Sequence, residues 1–107
     1  DPSCNPYLAL AACLAAGLDG IERGLTPPPE TTENLFALSQ AEKDARGIRR
    51  LPSTLEEAVE ALERDSVITG TLGSHITEQY IQGKQREWTE YRNQITRWEL
   101  EHYLITY

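Results

Sequence analysis

Asn5-Pro6-Tyr7-Leu8-Ala9-Leu10-Ala11-Ala12-Cys13-Leu14-Ala15-Ala16-Gly17-Leu18 is the stretch whose reading decides the fold. Asparagine is a favoured N-cap and proline a favoured first helical residue, so Asn5-Pro6 marks a helix start. The twelve residues from Tyr7 to Leu18 carry no charge. That run is too short to cross a bilayer. It is also apolar nearly all round, unlike a surface helix with one wet face. Such a helix needs cover on most sides. The rest of the chain offers amphipathic helices and no apolar strands, so part of that cover is expected from a segment outside this sequence. The helix is expected to end near Gly20 or Gly24. Cys13, between Ala12 and Leu14, reads as a small buried apolar residue.

Outward from this helix, residues 24–38 read as a loop. Pro27, Pro28 and Pro29 force an extended path and supply no backbone donors. A stiff connection is the simple reading, and a proline-rich ligand for an adaptor domain the sharper one. Three capping boxes follow: Ser39 with Glu42, Ser53 with Glu56, and Thr96 with Glu99. The second opens a helix with Leu55, Ala58, Val59 and Leu62 on one face. Val67, Ile68 and Leu72 read as a short apolar turn broken by Gly70 and Gly73. Ser74 reads as the cap of the longest helix, with Ile76, Tyr80, Ile81, Trp88, Tyr91 and Ile95 as its apolar line. These signals predict an all-α chain with helices near 6–22, 40–46, 54–65, 75–95 and 97–106. There is no alternating strand pattern and no internal repeat.

The 107 residues suffice for one domain. There is no methionine, and the chain opens almost directly on its apolar helix. Trimming of an initiator methionine would account for the first observation; a fragment of a longer protein accounts for both and is the preferred expectation. A formal net charge of -7 argues against nucleic-acid binding and against docking on anionic lipid. No charged region precedes the apolar run, as a signal peptide would require. Two cysteines, Cys4 and Cys13, are too few for a disulfide framework in so small a chain, and two reduced thiols in a cytoplasmic protein are expected.

Little in the chain points to chemistry. Cys4, Cys13, His75 and His102 show no pair at the spacing of a zinc half-site. Thr69-Gly70-Thr71-Leu72-Gly73-Ser74 lacks both the lysine of a phosphate loop and a preceding strand. Glu56, Glu57, Glu60 and Glu63 read as the solvated face of their helix. No catalytic constellation emerges, and no catalytic, cofactor-binding or metal residue is assigned.

The last helix is more informative. Leu100, Tyr103, Leu104 and Tyr107 recur at i, i+3, i+4 and i+7, with Trp98 beside them. Chain ends usually fray. An aromatic-rich terminal helix implies a docking surface, and tryptophan and tyrosine are common interface anchors. These five residues are the candidate assembly surface.

Asp1-Pro2-Ser3-Cys4-Asn5-Pro6-Tyr7-Leu8-Ala9-Leu10, followed by Ala16-Gly17-Leu18-Asp19-Gly20-Ile21, resembles the start of the C-terminal region of glutamine synthetases. Asn34-Leu35, Leu51 to Ala58, Leu62, and Trp98 to Tyr103 resemble the rest of that region in order, so the likeness covers essentially the whole chain. It implies the helical C-terminal portion of an α+β catalytic domain, about the last quarter of an enzyme. That enzyme uses ATP and magnesium or manganese to join ammonia to glutamate through γ-glutamyl phosphate. The resemblance further implies partners: the rest of the parent chain and neighbouring subunits of a ring homo-oligomer, usually two stacked hexamers. The family's metal-binding glutamates and its substrate and nucleotide arginines lie before the Asn-Pro-Tyr-Leu run and match no position here. One branch is controlled by adenylylation of a tyrosine in Asn-Leu-Tyr; Phe36 stands at that place. The triple proline and the Trp-Glu-Leu-Glu ending resemble branches that include γ-glutamyl ligases for other amines. A free-standing helical interaction module is the reading from a different class.

Overall fold

The computed structural model describes residues 3–104. Helix α1 spans Pro6–Glu22. It starts where Asn5 Oδ1 accepts from the backbone N–H groups of Tyr7 at 3.0 Å and Leu8 at 3.3 Å. It stops at Gly24, whose φ of +60° lets the Leu25 N–H reach back to the Gly20 carbonyl at 2.9 Å. Helix α2, Gln40–Ala45, opens on a capping box in which Ser39 N–H donates to Glu42 Oε2 at 2.8 Å. Helices α3 (Leu55–Arg64), α4 (Ser66–Leu72) and α5 (Ser74–Arg92) follow. Helix α6, Arg97–Glu99, then runs into a π-helical turn at Leu100–Leu104. No strand occurs among the described residues, which makes the fold all-α.

Four local expectations need correction. The second capping box is displaced by one residue: Thr54 is the N-cap and accepts from Glu57 N–H at 3.1 Å, while Ser53 N–H and Oγ–H donate to Glu57. Two adjacent hydroxyls and two adjacent glutamates made the register ambiguous. The apolar turn at Val67, Ile68 and Leu72 is helix α4, because Asp65 caps it through the N–H groups of Val67 and Ile68, and Gly70 is tolerated inside it. Helix α5 starts on Gly73 as N-cap with no side-chain cap, so Ser74 is its first residue, and it ends at Arg92. Cys13 is exposed and its thiol free, as is Cys4, since no described element covers that side of α1.

Helices α3, α4 and α5 pack on one another, and α1 lies against α4. Val59, at 5% exposure, is the buried apolar residue of this cluster. The inward line of α5 is Thr77, Ile81, Lys84 and Trp88, rather than the full apolar line that the sequence suggested. Thr77 is accommodated because its hydroxyl donates to the Thr69 carbonyl at 3.2 Å, tying α5 to α4. Lys84 lays its stem along the helix while Nζ meets Glu87 at 2.6 Å. That bond is the main reason its pKa is raised. Gln85 to Glu63, at 3.1 Å, and Arg92 to Glu56, at 3.9 Å, fasten the polar edge between α3 and α5.

The packing stops well short of a closed domain. A half-open apolar cleft of about 290 Å³ remains between α1 and the other helices, lined by Leu8, Ala12, Val59, Leu62 and Ile68 among others. The accessible surface is 9355 Å², against about 6,000 Å² for a compact monomer of this mass. The radius of gyration is 18.5 Å, against about 13 Å. Helix α2 and the α6–π segment pack against no other helix among the described residues.

The caps make a pH prediction. Hydrogen bonds from Ser39, Ser53 and Thr96 hold the carboxyls of Glu42, Glu57 and Glu99 below their ordinary value of 4.5. A carboxylate with a depressed pKa in the folded state stabilises fully above that value and loses its contribution as pH falls below it. Circular dichroism is therefore expected to show helicity falling below pH 4.5. The triple change Glu42→Gln, Glu57→Gln and Glu99→Gln keeps an acceptor oxygen at each cap and should flatten that fall. Superimposable acid titrations of the two proteins would exclude the caps as the cause.

Candidate assembly surface

The terminal segment is specified locally before it touches anything. Thr96 N–H and Oγ–H donate to Glu99 Oε2 at 2.7 and 2.8 Å, and Glu99 N–H returns to Thr96 Oγ1 at 3.2 Å. Arg97 Nε reaches Glu101 at 2.7 Å one turn on. The α turn then widens into the π turn. There the i to i+5 spacing brings Tyr103 beside Trp98, while the i to i+4 spacing keeps His102 on it. The Trp98 and His102 rings stack with centroids 4.3 Å apart and planes 20° apart. Tyr103 meets Trp98 edge-on at 5.7 Å and 83°. His102 Nδ1 lies 2.8 Å from the Trp98 carbonyl, an acceptor, which calls for the proton on Nδ1.

Trp98, Leu100, Tyr103 and Leu104 are all exposed. Tyr107 lies outside the described residues. The sequence pattern gave the apolar stripe on an ideal helical wheel. It could not give the aromatic cluster, because that depends on a π register with no sequence signature of its own. His102, which lies outside that apolar stripe, is part of the cluster.

A second exposed feature is the turn at Phe36. Asn34 Oδ1 accepts from Phe36 N–H at 3.0 Å, and Ala37 N–H returns to the Asn34 carbonyl at 3.0 Å. Arg46 reaches across from the end of α2 to Glu33 at 2.9 Å. The turn is thus held at both ends, and Phe36 stands on it 98% exposed.

No three His, Cys, Asp or Glu side chains among the described residues are placed to hold a metal ion. Thr69 to Leu72 form the last turns of α4, with Gly73 as the link to α5, so this segment does not wrap a phosphate. Glu56, Glu57, Glu60 and Glu63 are exposed. Among the described residues no helix is long and apolar enough to cross a membrane.

Comparison with known proteins bears on what such a surface belongs to. The family model described as the catalytic domain of glutamine synthetase matches residues 1–103. The chain is similar to the glutamine synthetase of Thermus thermophilus, with 52% identity over 107 residues, covering 100% of this chain and 24% of that protein. It is 47% identical over 105 residues to the glutamine synthetase of Methanocaldococcus jannaschii, covering 98% of this chain and 23% of that one. It is 46% identical over 107 residues to that of Clostridium saccharobutylicum, again 24% of the relative. The chain therefore spans about a quarter of the length of the curated relatives it matches. With a match that runs from residue 1 to residue 103, the chain belongs to the glutamine synthetase catalytic-domain family.

Proposed function

We propose that this chain is the C-terminal helical segment of a cytoplasmic glutamine synthetase, and that its own part is structural and assembling rather than catalytic. The parent enzyme joins ammonia to glutamate through γ-glutamyl phosphate, with ATP and magnesium or manganese, in the biosynthesis of glutamine. It works as a ring homo-oligomer of two stacked hexamers. What carries the assembly role is the cluster of Trp98, His102 and Tyr103: an aromatic surface on a locally capped helix that packs on no other element of the described chain. Because the described residues form no converging acidic or histidine set, they do not fit a seat for the divalent metal, and no step of the reaction is assigned to them.

The test is γ-glutamyl hydroxamate formation from glutamate, ATP, magnesium and hydroxylamine. The full-length parent is expected to form it, and the 107-residue chain alone to form none. Hydroxamate from the chain alone would overturn its non-catalytic role. A parent inactive with ammonia and hydroxylamine but active with a larger amine would move the reading to a γ-glutamyl amine or polyamine ligase. The triple proline Pro27 to Pro29 and the Trp98 to Glu101 ending keep that second reading open. If the free chain proves to be the whole gene product, the reading becomes a stand-alone helical interaction module.

Control by adenylylation at the Phe36 turn is expected to be absent, because phenylalanine has no hydroxyl to modify. Full-length protein incubated with an adenylyltransferase should show no nucleotide on residues 30 to 40 by mass spectrometry. A modified peptide there would refute this.

A further inference from the structure

Regular α geometry would turn Trp98 away from the rest of the terminal stripe. At 3.6 residues per turn it would stand roughly 120–160° round the axis from Leu100, Tyr103 and Leu104. The π turn at Leu100–Leu104 changes that, because it brings Tyr103 edge-on to the indole at 5.7 Å. The two rings form one surface only while the indole keeps one orientation. No other helix of the described chain packs on this segment to hold it there. Trp98 is 57% exposed and Tyr103 58%. An exposed side chain without a fixed neighbour moves among its rotamers, and ordering it on docking costs entropy.

His102 is the fixed neighbour. Its imidazole lies nearly flat over the indole, with 4.3 Å between centroids and 20° between planes. Its Nδ1–H donates to the backbone carbonyl of Trp98 itself at 2.8 Å. The imidazole is thus tied to the main chain of the residue whose side chain it covers, so the indole cannot swing away without leaving the stack. This i to i+4 contact is local and forms before any docking.

We infer that His102 is the positioning residue of the assembly surface: its imidazole holds the Trp98 indole in the orientation that a subunit of the facing ring receives, together with Tyr103. The inference rests on the assembly role proposed above and divides that role between two kinds of residue. Trp98 and Tyr103 supply the area that docking buries. His102 acts through Trp98, by removing freedom that would otherwise be lost at the moment of contact. A ring repeats the contact at every subunit, so symmetry multiplies a small effect per helix.

The experiment uses the full-length enzyme and follows ring separation by light scattering in sub-denaturing urea. The quantity read is the protein concentration at which half of the paired rings have come apart. Each pair of proteins is compared at a urea concentration that leaves both measurable. His102→Ala is expected to raise the half-separation concentration about tenfold or more. His102→Phe keeps a ring over the indole and should stay within about twofold of the unchanged protein. In a Trp98→Leu background, adding His102→Ala should change the value by less than about twofold, because the side chain it positions is gone. An effect of His102→Ala as large without the indole as with it would mean that His102 touches the facing subunit itself or only supports the helix, and would overturn the inference. No effect of His102→Ala, or a His102→Phe protein as weak as the alanine variant, would overturn it as well. Paired rings indifferent to His102 would refute this inference alone. Unchanged full-length protein that scatters as a single ring or a lone subunit would refute the assembly role beneath it.

Discussion

Full-length enzyme truncated after Ile95 is expected to fold but to sediment and scatter as a smaller particle, a single ring where the intact protein has two. Under the assembly role proposed above, this terminal helix leaves its own subunit and inserts into one of the facing ring. Here α6 and the π turn together are too short to be stable as an isolated helix in water. Their start is nonetheless fixed by the box at Thr96 and Glu99. A segment with a specified start and insufficient length needs a surface. Trp98, Leu100, Tyr103 and Leu104 are the side chains it would bury there. Each large apolar side chain fully buried stabilises by roughly 1.5–3 kcal/mol before ordering costs are subtracted. Symmetry repeats whatever remains at every subunit of a ring. Light scattering of the truncated protein at micromolar concentration gives the answer, and an unchanged mass would show that the stripe packs on its own subunit.

The second large effect is the absence of a cooperative melt from the 107-residue chain on its own. A domain of this length with a normal core absorbs about 0.7 kcal/mol per residue in a single unfolding transition. Val59 and Thr77 are the residues that the described cluster buries, and α1 adds an exposed apolar stripe instead of a core. Helicity at room temperature, a broad loss on heating, a calorimetric trace without a peak, and strong binding of an apolar dye are the expected results. A sharp transition of full enthalpy would show that the segment stabilises itself.

Legibility in the sequence followed locality. Asn5-Pro6, Ser39 with Glu42, and Thr96 with Glu99 act within four residues and could be read directly, because a cap is a contract between near neighbours. Asp65 escaped notice because its helix, α4, is seven residues long and contains Gly70, which lowers propensity without forbidding a helix that packs on α1 and α5. The inward face of α5 was misjudged because Thr77 and Lys84 sit where an apolar periodicity has no place for them. Only the tertiary bond to the Thr69 carbonyl and the ion pair to Glu87 admit them. The candidate assembly residues stood out by composition, whereas the edge-on contact of Tyr103 with Trp98 depended on the π turn.

The turn that displays Phe36 has an evolutionary consequence. Its geometry is held by the Asn34 side chain and the backbone, with the Arg46–Glu33 pair beside it, and the phenyl ring contributes nothing to holding it. A lineage can therefore exchange the displayed side chain without disturbing the scaffold beneath. Phe36→Tyr adds one hydroxyl to a position already offered to solvent, so a modifying enzyme that recognises the turn finds a substrate where it had none. Control at this place can be gained or lost by a single step, independently of selection on folding.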